Sequence, residues 1–371
     1  MKFALFYEIP VARPWTRESE HRAYKEVVEQ AVLGEQAGFH SVWTVEHHFL
    51  EEFSHCSNPE VLYGHIAAKT STLRLGYGVR LLPRPYNHPV RTAESVAVLD
   101  LLSDGRVEFG TGRSATRLEL EGFGIDPRET RPMWREALGH IVDCWTKDEV
   151  EFQGKYWSLP RRRVLPKPLQ QPHPPIWGAT TSLEGHTEIG RLGIGLCSFS
   201  VGLPPESFKE KVDAYRAGLA ECKQPVGKFV NGQAATFTMV HCADTNERAF
   251  ADAAESMVWY PIVGAKQIAA VADWQAGKDL GNYAYAGDMK TARDSGGLDQ
   301  LNFDYIRDSG AAMVGDPARC VEIGQRYAAS GCDMLFCLVN PYKIPHRAVM
   351  PHRAVMRSIE LLGEKVIPAL S

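Results

Sequence analysis

With 371 residues, 44% of them hydrophobic and 23% charged, the chain can bury a large core as one large domain or two ordinary ones. Its net charge of −4, mixed in sign along the chain, leaves no basic stripe for a nucleic-acid backbone, which argues against DNA or RNA and for small-molecule partners. No stretch is apolar over a bilayer's thickness, "MKFALFYEIP" is too short for a secretory leader, and the eight cysteines lack CxxC spacing; the expectation is a cytoplasmic protein with free thiols and no membrane contact.

In chain order, short apolar strands alternate with amphipathic helices. The first strand falls at 3–7, and a helix follows in which Tyr24, Val27, Val28, Ala31 and Val32 share a face and Gly38 ends the run. Strands two, three and four fall at 41–45, 73–79 and 107–111; the helices between them open with Asn58-Pro59 and His88-Pro89, an N-cap followed by proline. Strands five to eight fall at 176–180, 196–200, 235–241 and 334–339, with Asp316-Pro317 opening the last helix before strand eight. Gly105 and Gly331 lead directly into strands four and eight. Most strands are near-continuous apolar runs, as parallel strands covered on both faces require.

Eight such units predict an α/β fold, a (β/α)8 TIM barrel rather than an open sheet. The length beyond the ~250 residues typical of this barrel goes into two insertions. One spans about 112–174 after strand four and carries "LPRRRVLPKPLQQPHPP"; the other spans about 255–312 after strand seven. Neither has a core pattern of its own, so 1–371 reads as a single domain. The tandem "PHRAVM" at 345–350 and 351–356 is read as a loop followed by a terminal helix with Pro351 near its first turn.

Barrel chemistry sits at the C-terminal strand ends. Strand two runs into Glu46-His47-His48, with Phe49, Glu51, Glu52, His55, Cys56 and Asn58 beyond. Adjacent strand residues face opposite ways, so His47 and His48 cannot both face the barrel axis, which weakens a metal reading. One histidine moving a proton fits better, and His48 is then a buried structural residue. In "GTGRSATR" after strand four, Arg113 could grip a phosphate through two parallel hydrogen bonds. Thr180, Thr181 and Ser182 open the helix after strand five, where backbone N–H groups favour an anion. Taken singly, Arg113 reads equally as a surface ion pair and Thr181 as a cap; together they form a candidate phosphate site. Gly76 and Gly78 in strand three either leave room for a flat ring or serve barrel packing.

The segments "GFHSVWTVEHHF", "NPEVL", "LRLGYGVRLLP", "HPVRTAESVAVLDLLSDGRVEFGTGR", "PPIWGATTS" and "VGDPARCVEIGQRYAASGCDMLF" resemble the bacterial-luciferase-like, flavin-dependent monooxygenase family. That resemblance implies a barrel that binds reduced FMN (FMNH2) from a separate flavin reductase, adds O2 to it as a flavin peroxide, and oxygenates a small organic substrate. It further implies that His47 is the active-site histidine, that Arg113, Ala115, Thr180 and Thr181 hold the phosphate region, and that a cis Gly78–Val79 peptide lies under the ring with Phe199 beside it. Tyr7, Phe49, His55 and Cys56 are candidates for the substrate wall. No metal is expected, and a homodimer through the helices after strands two and three is. Three readings compete: a deazaflavin-dependent dehydrogenase of the same fold, a metal-dependent barrel hydrolase using Glu46, His47, His48 and His55, and a non-catalytic flavin-binding protein.

Overall fold

Eight parallel strands close on themselves in a computed structural model that describes residues 1–199, 201–342 and 351–370. They are β1 (Lys2–Tyr7), β2 (Ser41–Thr44), β3 (Arg74–Tyr77), β4 (Val107–Gly112), β5 (Ile176–Thr180), β6 (Gly195–Ser198), β7 (Ala234–Cys242) and β8 (Met334–Leu338). Each pairs with the next, and β8 pairs back onto β1, so no barrel edge is left open. The expected strands recur within a residue or two, except that β3 stops at Tyr77 and resumes as Arg80–Leu81, which also pairs with β4. Ser200, expected to end strand six, lies outside the described residues.

Inside the barrel, large aromatic rings meet glycines. Trp43 packs edge-on against Trp177 with ring centres 5.5 Å apart, and against Phe336 at 4.6 Å. A Cβ on Gly76 would stand 2.1 Å from the Trp43 ring, and one on Gly110 would stand 1.8 Å from the Tyr77 carbonyl oxygen. Gly76 therefore makes room for Trp43 in the core rather than for an external ring. That settles one of the two roles open to it.

Two of the three expected helix entries follow the capping chemistry. His88 and Asp316 accept from the backbone N–H groups of Val90 and Arg319 at 3.2 and 2.9 Å. Asn58 occupies the cap position of Pro59–Ala67 without accepting from a first-turn backbone N–H. The terminal helix begins at Pro351, as read from the repeat, while the first PHRAVM copy lies outside the described residues.

Parts of both insertions reach the same end of the barrel. The first supplies helices Arg117–Gly122 and Thr130–Thr146 and an antiparallel hairpin, Val150–Gln153 with Ser158–Arg162. The second belongs to a segment that opens with the long helix Asn246–Trp274 and continues through Ala284–Asp294 and Phe303–Ser309. They meet where Leu120 and Ile125 pack with Ile268, Val271 and Tyr283, and this contact roofs the barrel mouth. Among the described residues no helix is long and apolar enough to cross a membrane.

Candidate active site

The C-terminal strand ends open onto a cavity at the mouth of the barrel. Phe6, Val45, Val79, Leu81, Phe237 and Phe336 make most of it apolar, and its polar groups come from a few strand ends. His47, Gly78, Val79, Arg113, Ala115, Thr180, Thr181 and Phe199 all face it, so these eight candidates converge as expected.

The three residues Glu46-His47-His48 divide their roles because β2 ends at Thr44 and the chain then turns. Glu46 fastens the strand end to its neighbour: it accepts from the Leu81 backbone N–H and from Asn87 Nδ2, both at 2.9 Å. His48 turns away and stacks on Tyr86, with Phe123 at its edge. His47 alone of the two histidines reaches the cavity. Its Nδ1 lies 2.9 Å from Glu119 Oε1, its Nε2 lies 3.6 Å from Glu8 Oε2, and its backbone N–H donates to the Cys56 carbonyl at 2.9 Å.

Glu119 was hidden in the sequence. It sits fully buried on the short helix after β4 and accepts from the His48 backbone N–H, Ser114 Oγ and Thr116 Oγ1 as well as His47. Burial alone would raise its carboxyl, but His47 and these hydroxyls bring it below the ordinary glutamate value. Burial alone would likewise lower His47; the carboxylates of Glu119 and Glu8 reverse that and push it up to about 9. His47 is thus an imidazolium at neutral pH. Glu8 is raised by burial, against the pull of His47 and of Tyr260, whose hydroxyl donates to Glu8 Oε1 at 2.8 Å.

Arg113 lines the same cavity from the end of β4. Its guanidinium donates to Thr130 Oγ1 at 3.1 Å and lies over the Tyr283 ring, 5.3 Å from its centre. Among the described residues no carboxylate lies within ion-pair distance of it. Thr180 and Thr181 lead into helix Leu183–Arg191, whose cap Ser182 accepts from the Gly185 N–H at 3.2 Å. An unpaired guanidinium beside hydroxyls and a helix N-terminus suits a phosphate group. The Gly78–Val79 peptide is cis, and a Cβ on Gly78 would approach Phe6 to 2.8 Å. A cation with hydroxyls, an apolar slot and a histidine in one cavity fit a flavin mononucleotide in kind.

The four substrate-wall candidates do not line this cavity. Strand alternation turns Tyr7 to the far face of β1 while Phe6 and Glu8 point in. Phe49 is 55% exposed and packs on Phe123. His55 bonds Glu20 through Nδ1 at 2.9 Å and meets the edge of Trp15. Cys56 is buried behind His47, and burial pushes its thiol up to about 12. The walls come instead from Phe6, Cys197, Phe237 and Phe336 in the barrel, and from Ile268 and Tyr285 of the second insertion. Among the described residues no group of three His, Cys, Asp or Glu side chains is arranged to hold a metal.

The chain is 29% identical to the oxygenase component of a flavin-dependent trigonelline monooxygenase from Acinetobacter baylyi over 267 residues, 71% of each chain. It is 30% identical to the alkanal monooxygenase alpha chain of Photorhabdus luminescens over 175 residues, 47% of this chain and 46% of that one. Among solved structures, the oxygenating constituent of 3,6-diketocamphane monooxygenase from Pseudomonas putida, in complex with FMN, superposes with a TM-score of 0.75 at 20% identity, covering 100% of this chain and 99% of that one. An F420-dependent secondary alcohol dehydrogenase superposes with a TM-score of 0.73 at 18% identity over the same shares. The family model for luciferase-like monooxygenases matches residues 1–334, so the chain belongs to that family and is an oxidoreductase.

Proposed function

We propose that this protein is the oxygenase component of a two-component monooxygenase, taking FMNH2 from a separate reductase and using O2 to oxygenate a small organic substrate. One observation carries the reading: an unpaired Arg113 and a charged His47 clasped by Glu119 open onto one largely apolar cavity. Arg113, Ala115, Thr180 and Thr181 would hold the phosphate end, and Gly78, Val79 and Phe199 would flank the ring. Bound there, reduced FMN supplies the electrons that activate O2. His47 holds a proton at the cavity wall, oriented through Nδ1 by Glu119 and available at Nε2 as a general acid. Phe6, Phe237, Phe336 and the roof residues Ile268 and Tyr285 exclude water.

The F420-dependent structural neighbour favours a second reading, a dehydrogenase that moves a hydride without O2. Separate fluorescence titrations with FMN and F420, followed by oxygen uptake with reduced FMN and a panel of ketones, phenols and sulfonates, decide between them. FMN binding with substrate-dependent uptake is the expected result. F420 binding without uptake would establish the second reading.

A homodimer belongs to the same proposal. Helices Pro59–Ala67 and Pro89–Leu102 expose Val61, Val98, Leu101 and Leu102 side by side, an apolar face of the kind subunit contacts cover. All eight cysteines are free thiols, which suits a reducing cytoplasm.

A further inference from the structure

Glu8 is only 3% exposed, faces the cavity, and has one carboxylate oxygen that no hydrogen-bond donor reaches among the described residues. Tyr260 satisfies its Oε1 at 2.8 Å. The Ser54 hydroxyl gives its hydrogen to the Glu8 backbone carbonyl at 2.6 Å. His47 Nε2 stands 3.6 Å from Glu8 Oε2, inside ion-pair range and beyond a hydrogen bond. A buried acceptor without a donor is costly, and such a group in a cavity is normally completed by what the cavity binds.

What surrounds this oxygen narrows the class of ligand. Phe6 stacks on Phe237 with centres 5.3 Å apart and on Phe336 at 5.9 Å, and Phe199 meets the edge of Phe237 at 4.9 Å. Such a wall takes a flat ring by offset or edge-on contact. The other carboxylates of the neighbourhood are already filled: Glu119 by four donors, Glu46 by Leu81 and Asn87.

We infer that Glu8 determines substrate choice: its free Oε2, beside His47 Nε2 and among aromatic walls, accepts the hydrogen of a hydroxyl or N–H borne by an aromatic substrate. This deepens the oxygenase reading and rests on it for the reaction, while the recognition itself needs only the cavity. A ring whose hydroxyl or N–H is methylated would leave the acceptor unfilled and place a methyl group against it. Sites built around such an acceptor reject the analogue that lacks the hydrogen far more sharply than apolar pockets reject a methylene.

The test compares phenol with anisole and indole with 1-methylindole. Binding is followed by the change in FMN absorbance on the FMN-loaded protein at about pH 8. Wild type should bind phenol and indole about tenfold or more tightly than their methylated partners. Glu8→Leu and the isosteric Glu8→Gln should each bring the two within about twofold by weakening the donors alone. Glu8→Gln keeps a partner for Tyr260 and covers the case in which Glu8→Leu fails to fold. Equal binding of each pair by wild type, failure of all four probes to bind, or a preference unchanged in the variants would each overturn the inference. FMN affinity on the same proteins keeps the two readings apart. If FMN fails to bind while intrinsic tryptophan fluorescence still shows the donor preference, the cofactor reading falls and this one stands; FMN binding without that preference contradicts this one alone.

Discussion

His47 Nδ1 lies 2.9 Å from Glu119 Oε1, and that contact ties the loop after β2 to the short helix after β4. Glu119 is a positioning residue: it fixes the imidazole and keeps it charged. Glu119→Gln retains the shape and removes the charge. Glu8 is then the main charge opposing burial, and the His47 value should fall from about 9 toward the ordinary 6.5. An NMR titration of the imidazole reads this directly, with the basic limb of the pH–rate profile moving in the same direction. A His47 value still near 9 would show that Glu119 does not hold it up.

The same pair gives stability a pH signature. His47 has its folded value raised, so its contribution is fully present below about 6.5 and is lost as pH rises through about 9; its size is of the order of 3 kcal/mol. Glu119 has its value lowered, so its contribution is present above about 4.5 and is lost as pH falls below that. The stability difference between wild type and His47→Gln, from urea denaturation, should therefore be largest between about pH 4.5 and 6.5 and shrink toward pH 9. A difference that grows with pH would reverse the assigned signs.

Two glycines should respond oppositely to alanine. Gly110→Ala drives a methyl into the Tyr77 carbonyl oxygen inside the barrel, and should lower stability by about 3 kcal/mol or more. Gly139 lies in helix Thr130–Thr146 with open space where its Cβ would be, and Gly139→Ala should raise stability by about 0.5–1 kcal/mol. Thermal unfolding of both proteins checks the contrast.

His47→Ala should bind FMN within about threefold of wild type, because the phosphate end is held elsewhere, yet release hydrogen peroxide in place of oxygenated product with a loss of about 10²–10⁴ in coupled turnover. Peroxide and oxygen electrodes run together measure the ratio. Unchanged coupling would remove His47 from the chemistry.

The barrel was readable because parallel strands covered on both faces leave near-continuous apolar runs such as "FALFY" and "MLFCL". The eight cavity residues on strand ends were readable for the same reason: once the strands are placed, their ends share one rim. What failed has physical causes. Tyr7 and Glu8 differ by one position, and alternation sends the carboxylate, not the ring, into the cavity. Glu119 stands three residues after Thr116, a spacing that reads as an ordinary helix start, and nothing local shows that it reaches back to His47. Tyr260, Ile268, Tyr283 and Tyr285 belong to the long helix and the segment after it, whose path over the barrel mouth is fixed by tertiary packing and leaves no periodic trace.

One cavity is proposed to take a flavin with its phosphate on Arg113 and its reacting edge near His47. Anaerobic titration of wild type and Arg113→Met with reduced FMN and with reduced riboflavin, which lacks the phosphate, tests it most directly. The variant should lose about tenfold or more in FMN affinity and nothing in riboflavin affinity. Equal FMN affinity in the two proteins would contradict it.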